Sequence, residues 1–239
     1  MRNDIIFGCS MHKDTLPDWE RIISAAAHLQ RIIPDAVLVS GTASALYAGH
    51  LLSVDADHVI KDLRSRFDAM LIDLESVSGW TTARTNRPVQ ILGSLDGIET
   101  GIRQLIREEP LEIRQIESHG ELITLPTLPE MLRIKAVLIL KRNATRDYLD
   151  FAALSDQLGD EGIVESLKSF ERLYPQPNGE STLLQLQIQL ATPLPYDLES
   201  MDLSEYKNIS IRWQNWDNVK EKCVYCAVQI FDKIIAVCD

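Results

Sequence analysis

Apolar and polar positions alternate along the chain with two different periods. Through Ile22, Ile23, Ala26, Leu29 and Ile33 the apolar residues recur at helical spacing. Thr15 as cap, with Pro17 and Asp18 in the first turn, marks the start of this helix, and Pro34-Asp35 marks its end. Ala36 to Val39 reads as a short buried strand, Ser40-Gly41-Thr42 as a tight turn, and Ala43 to His50 as a short helix rich in small residues. From Ser53 to Ile60 the period drops to two. Val54, Ala56 and His58 share one face and Asp55, Asp57 and Val59 the other, which predicts a strand.

Helical spacing returns over Asp62 to Glu75, and Val77-Ser78-Gly79-Trp80 breaks it. Val89 to Leu92 and Ile98 to Leu105 predict two strands joined by a turn over Gly93 to Gly97. Leu111 to Glu117 and Leu122 to Leu125 predict a hairpin around His119-Gly120. Pro126 and Pro129 open a long helix that runs to Arg142, and a second, Ala144 to Leu158, ends at Gly159. The remainder has helical spacing, with loops at residues 175–179 and 193–195. This order predicts an α+β fold: a mixed sheet flanked by helices, then a C-terminal helical bundle, divided into residues 1–125 and 126–239.

Composition narrows the picture. A chain of 239 residues, 45% of them hydrophobic, is long enough for one large domain or two small ones with a real core. The longest mostly apolar run, Ala136 to Leu140, is far short of the roughly 20 residues a membrane helix needs. Met1-Arg2-Asn3-Asp4 does not read as a secretory leader, so the expected location is the cytoplasm, with no membrane partner. A formal net charge of −11 repels phosphate backbones at long range; it excludes indiscriminate nucleic-acid binding but leaves room for a local basic patch. The four cysteines, Cys9, Cys223, Cys226 and Cys238, are too sparse for a disulfide scaffold. Cys223-x-x-Cys226 has no second half-site to complete a zinc centre and reads as two small residues on one helix face.

The segment that carries chemistry begins at Leu38. A strand runs into Ser40-Gly41 and a helix start, where small residues let the backbone approach a phosphate and free N–H groups can receive it. Asp55 and Asp57, two apart on a strand, point to the same side and can ligate one hard cation or a pair. Transfer of a phosphoryl group onto a hydroxyl needs such a cation to neutralise the triphosphate. A lone D-x-D is weak in a chain with 35 acidic residues; its order after strand, Ser-Gly and short helix is far more specific.

This stretch resembles the nucleotidyltransferase superfamily, and more closely its AbiEii/AbiGii abortive-infection toxin branch. The branch reads Gly-Gly-Thr-Ala-Leu-Ala and then Gly-His-Arg-x-Ser-x-Asp-x-Asp. Here the residues are Ser40-Gly41-Thr42-Ala43-Ser44-Ala45 and Gly49-His50-Leu51-Leu52-Ser53-Val54-Asp55-Ala56-Asp57. Ser40 stands for the first Gly, and Leu51 for an Arg. Downstream the branch carries Lys, Arg and Arg-Asp-x-x-Asp, matched by Lys135, Arg142 and Arg146-Asp147-Tyr148-Leu149-Asp150.

The resemblance implies a nucleotidyltransferase-like fold in which the helical part completes a nucleotide site. It implies Mg²⁺ held by Asp55 and Asp57, phosphates cradled by Ser40, Gly41 and Thr42 beside Ser53, and Lys135, Arg142 and Arg146 neutralising the triphosphate. Asp147 or Asp150 would hold the basic residues in place, and Arg146 and Asp150 are spaced for an i, i+4 pair. Glu99 is the expected third carboxylate, with Asp96 as the alternative that reads better as a turn residue. The partners implied are an NTP, an acceptor that can be RNA, protein or a small molecule, and a cognate antitoxin. The competing expectation is a nucleotide-binding interaction module without turnover. A DNA-binding regulator fits neither the charge nor the pattern. His50 reads as a phosphate-positioning residue or a helix cap. Tyr206, Trp213, Trp216 and Tyr225 read first as anchors of the tail on the core, and otherwise as a partner or base-stacking surface.

Overall fold

In the computed structural model, which describes residues 19–236, helix α1 (Trp19–Ile32) leads into the two-residue strand β1 (Val37–Leu38) and helix α2 (Ser40–Ala48). Thr15, Pro17, Asp18, Cys9 and Cys238 lie outside the described residues. Strand β2 (Asp55–Ile60), helix α3 (Leu63–Glu75) and strands β3 (Trp80–Asn86), β4 (Gln90–Leu95) and β5 (Ile98–Gln104) follow. They form one sheet in the order β1-β2-β5-β4-β3, in which only β2 and β5 run parallel. A separate hairpin, β6 (Ile113–Ser118) and β7 (Glu121–Pro126), precedes the helices α4 (Leu128–Arg142) and α5 (Thr145–Leu167).

Period-two patterning decides which face of the sheet is buried. In β2, Ala56, His58 and Ile60 are buried and Asp55, Asp57 and Val59 are half-exposed, as the alternation predicts. Beneath the buried face, Leu29 of α1 and Leu63, Phe67, Met70 and Leu74 of α3 pack against Ile91, Leu95 and Ile102. The opposite face is left open, and the two aspartates stand on it.

The polypeptide after β7 is helical, as expected. Thr127 caps α4 by accepting from the Glu130 N–H at 3.4 Å, with Pro129 in the first turn. Helix α5 is broken at Gly159, whose φ of 65° and ψ of 177° only glycine adopts freely; this is where the first stretch of that helix was expected to stop. The short α6 (Phe170–Leu173), then α7 (Thr182–Ala191) and α8 (Trp216–Ile230) complete the bundle. Trp213 is buried, and Trp216 meets Tyr148 edge-on with 5.9 Å between centroids, so these aromatics anchor the tail to α5. Cys223 and Cys226 are free and buried on α8, and burial pushes both thiols up. One hydrophobic cluster runs from Ile22 and Ile23 of α1 through α4 and α5 to Cys223 and Ile230 of α8.

Three local expectations are corrected. The tight turn expected at Ser40-Gly41-Thr42 is already the first turn of α2, which begins at Ser40 with that residue in the left-handed region (φ 70°). The turn expected over Gly93 to Gly97 is a two-residue hairpin at Asp96-Gly97, both at positive φ (54° and 78°), so β4 extends through Leu95. Strand β3 was not anticipated: it is a mostly polar edge strand, held by its ladder to β4, with only Trp80 buried.

Candidate active site

The open face of the sheet, the start of α2 and the inner faces of α4 and α5 enclose a cavity of about 350 Å³. Ser40 and Gly41 form one wall, Asp55 and Asp57 another, and Lys135, Arg142 and Arg146 a third. Apolar side chains including Ile106, Leu111, Ile134 and Leu138 line the rest of it, with Tyr174 among them. Residues more than 90 positions apart in sequence are thus brought to one volume by the docking of α4 and α5 on α2.

Each charged wall has its own support. The Ser53 hydroxyl donates to Asp55 Oδ1 at 2.8 Å and accepts from Arg146 Nη2 at 2.8 Å, linking an acid of the sheet to a base of α5. Arg146 lies directly over Gly41: a Cβ there would come within 2.0 Å of Arg146 Nη2. This close approach is the reason for glycine at position 41. Arg142 makes a two-pronged pair with Asp147, Nε to Oδ2 at 3.0 Å and Nη2 to Oδ1 at 2.6 Å. Lys135 is only 2% exposed and its Nζ lies 2.7 Å from Asp150 Oδ2, while His50 Nε2 holds Asp150 Oδ1 at 2.7 Å. Burial alone would push the Asp150 carboxyl up; Lys135, His50 and Arg146 outweigh it and hold it well below the usual carboxylate range. Burial pushes the Asp57 carboxyl up, Arg103 opposes this, and Asp55 reinforces it.

Most sequence-predicted residues meet here, with two corrections. Thr42 stands behind the cavity wall: it is buried, and its hydroxyl donates to the Asp55 carbonyl, tying α2 to β2. Arg146 does not pair with Asp150, which is occupied by Lys135 and His50; among the described residues no carboxylate lies within 4 Å of Arg146. Leu51, in place of the Arg of the resembled branch, is buried in the main hydrophobic cluster, so the cations of this cavity come from α4, α5 and, through Arg103, β5. Asp147 and Asp150 sit behind the cations, each holding one in place. Glu99 is exposed, directly across the β2–β5 register from Asp55, on the same face. It lines an adjoining hollow that also reaches Asp55 and Asp57. Asp96 is at the hairpin tip, 2.7 Å from His28, and belongs to the turn.

Sequence reasoning missed Arg103, whose Nη2 lies 3.3 Å from Asp57 Oδ2. Its signal was present: on β5, Arg103 falls four residues after Glu99 and so shares its face. It also missed Arg107, which donates to the Glu109 and Pro110 carbonyls and to the Tyr174 hydroxyl, and pairs with the buried Glu130 at 2.8 Å. Arg107 thereby pins the loop that carries Ile106 and Leu111 over the cavity. Nothing in the local pattern marked it, because its side-chain partners, Glu130 and Tyr174, lie on α4 and just after α6.

The acids suit Mg²⁺. They offer hard oxygen donors, and Mg²⁺ commonly takes only one or two carboxylates, completing its shell with water and substrate phosphates. Opposite Asp57 in the ladder stands Gly101, where a Cβ would meet Leu92 Cδ2 at 2.5 Å, the Ile91 carbonyl at 3.0 Å and Asp57 Oδ1 at 3.2 Å, so glycine is what lets β4 pack closely on β5 beside that carboxylate. Among the described residues no three His, Cys, Asp or Glu side chains gather into a ready-made metal cluster.

The fold is nucleotidyltransferase-like. The structure of JHP933 from Helicobacter pylori superposes with a TM-score of 0.55 at 14% identity, covering 94% of this chain and 97% of that one. A candidate nucleotidyltransferase from H. pylori gives a TM-score of 0.55 at 14% identity, over 91% and 96% of the two chains. No family model matches the sequence. Over 130 residues the chain is 32% identical to the heme uptake protein MmpL11 of Mycobacterium tuberculosis and 29% identical to the mycolic acid-containing lipids exporter MmpL11 of Mycolicibacterium smegmatis. These matches take in 53% of this chain and span 13% of the length of those curated relatives. Among the described residues, no helix is long and apolar enough to cross a membrane.

Proposed function

We propose that the chain is a Mg²⁺-dependent nucleotidyltransferase that moves a nucleoside monophosphate from an NTP to a hydroxyl of a phosphate-rich acceptor, RNA being the class that fits best. The observation that carries the reading is that two aspartates, four cations and a glycine-lined helix start meet in one cavity. Mg²⁺, when bound, neutralises triphosphate charge and orients the phosphates for in-line attack. Asp55 and Asp57 would hold it. The N–H groups at the start of α2 and the cations Lys135, Arg142 and Arg146 would receive the triphosphate, Arg146 being the one with no carboxylate of its own. The apolar lining takes the base. The acceptor oxygen bonds to the α-phosphorus, the bond to the bridging oxygen breaks, and pyrophosphate leaves. The acceptor proton passes to Glu99 or to solvent.

Charge distribution supports the acceptor class. Three further hollows share wall residues with the cavity. Ten of the chain's 24 Lys and Arg residues line these four hollows, against five of its 35 Asp and Glu residues. An acidic protein therefore concentrates positive charge around its cleft, as a polyanion-binding groove requires. The resemblance to the abortive-infection branch supports a toxin role with an antitoxin partner.

Calorimetry with Mg²⁺-NTP on wild type and on the Asp55→Asn, Asp57→Asn variant tests the site, with binding expected only in the wild type. Labelled NTP with RNA, protein and small-molecule acceptors then tests transfer. Binding without any labelled product favours the non-catalytic binding module, and absence of wild-type binding removes the reading.

A further inference from the structure

Asp150 is buried with a different partner on each carboxylate oxygen: His50 Nε2 at 2.7 Å on Oδ1 and Lys135 Nζ at 2.7 Å on Oδ2. The imidazole is itself fixed by the backbone around it. The His50 carbonyl accepts from the Ser210 N–H at 2.9 Å, and the Leu52 N–H donates to the Lys207 carbonyl at 2.8 Å. Its second nitrogen, Nδ1, is buried and has no hydrogen-bond partner, so the ring's polar tie is to Asp150. Lys135 lines the nucleotide cavity; His50 does not.

We infer, on the nucleotidyltransferase reading, that His50 is a positioning residue for Lys135: by occupying one oxygen of Asp150 it leaves the lysine one close anchor, with Asp147 Oδ1 farther off at 4.0 Å, and keeps its ammonium at the cavity wall, available to triphosphate. The terminal torsion of an aspartate carboxylate has a broad, roughly two-fold preference and not sharp wells. Without the imidazole, both oxygens of Asp150 are free to close on the ammonium, which draws it away from the cavity and lets the carboxylate neutralise its charge in a low-dielectric setting. The loop Gly49–Ser53 and the segment Lys207–Ser210 therefore act on the phosphate end of the cavity without touching the substrate.

The test is a double-mutant cycle read by the affinity of an α,β-methylene nucleoside triphosphate with Mg²⁺. His50→Leu is expected to weaken binding about tenfold, the scale of one hydrogen bond to a charged group. In a Lys135→Gln background the same change is expected to cost less than about twofold, because the residue through which it acts is gone. His50→Gln, which can reach Asp150 with an amide N–H, restores affinity to within about threefold of wild type. Unfolding midpoints accompany each variant. If His50→Leu does not fold, His50→Asn, too short to reach Asp150, takes its place in the cycle. An undiminished penalty in the Lys135→Gln background overturns the inference, since a packing role would survive loss of the lysine charge; so does a His50→Leu protein that binds like wild type. Wild type that binds no triphosphate overturns the functional reading itself, and this inference with it.

Discussion

Asp57 already has a cation beside it. Arg103 is 44% exposed and reaches Asp57 Oδ2 at 3.3 Å, on the face where a metal would approach. The pair is partly solvated, so it holds Asp57 by about 0.2–1 kcal/mol, and an incoming divalent ion competes with it. Arg103→Gln is expected to raise Mn²⁺ affinity up to about fivefold in a titration followed by electron paramagnetic resonance. An unchanged or weaker affinity would show that Arg103 and the ion do not compete. At Gly41 the expectation runs the other way. Gly41→Ala sets a methyl against the end of the Arg146 side chain, which is flexible and moves aside. The thermal midpoint should stay within a few degrees, while triphosphate affinity falls about tenfold as Arg146 loses Ser53 and the cavity wall. These residues show what the sequence disclosed and what it hid. Asp55 and Asp57 were legible because strand alternation alone puts them on one side. The serine in place of glycine at position 40 reads as a mild change in sequence, yet it occupies a left-handed conformation that favours glycine. The Arg146–Asp150 spacing invited a helix-surface pair, but the fold had given Asp150 to Lys135 and His50 from other elements.

Strand β2 carries the two aspartates on one face and a hidden acid sensitivity on the other. His58 is buried under the sheet with neither ring nitrogen hydrogen-bonded, and burial lowers its pKa to about 3. The unfolded chain takes up that proton near 6.5. Between those values the unfolded state binds more protons, so stability is full above about pH 6.5 and declines as pH falls toward 3. By pH 5 the loss from this group is about 2 kcal/mol. His58→Leu should flatten this part of the stability profile, measured by urea denaturation at pH 7.5 and pH 5; equal pH slopes in both proteins would exonerate His58. Elements with a strong period were legible: β2, the hairpin around His119-Gly120 and the helices α4 and α5 lie close to where the pattern put them. β3 was not, because Thr81 to Asn86 are mostly polar and the strand exists only through pairing with β4. The tail had helical spacing but no readable task. Its backbone contacts with the Gly49–Ser53 loop and its buried Trp213 and Val219 make it part of the site's frame. A chain ending after Met201 is expected to lose its cooperative unfolding transition rather than remain as a stable shorter protein.

The whole molecule combines a net charge of −11 with a cleft region where Lys and Arg outnumber Asp and Glu two to one. The two facts act at different ranges. Beyond a Debye length, about 8 Å at physiological salt, a polyanion meets the screened acidic surface and gains nothing. Only when its phosphates enter the groove do they find Arg84, Arg103, Lys141 and Arg172 at close range, and each contact made releases condensed counterions. Such a protein should bind RNA weakly and locally, through few contacts. If about three phosphates of a single strand are neutralised, log K should fall against log salt with a slope near −2, well short of that of a basic nucleic-acid-binding protein. Arg84→Glu together with Arg172→Glu should reduce that slope by one or more units and leave Mg²⁺-NTP binding intact, because neither residue lines the nucleotide cavity. Measured by fluorescence anisotropy from 50 to 300 mM salt, a slope of zero would exclude a polyanionic acceptor and turn the search toward proteins and small molecules. A slope that survives both reversals would move the acceptor away from these two hollows, toward the cations that line the nucleotide cavity itself.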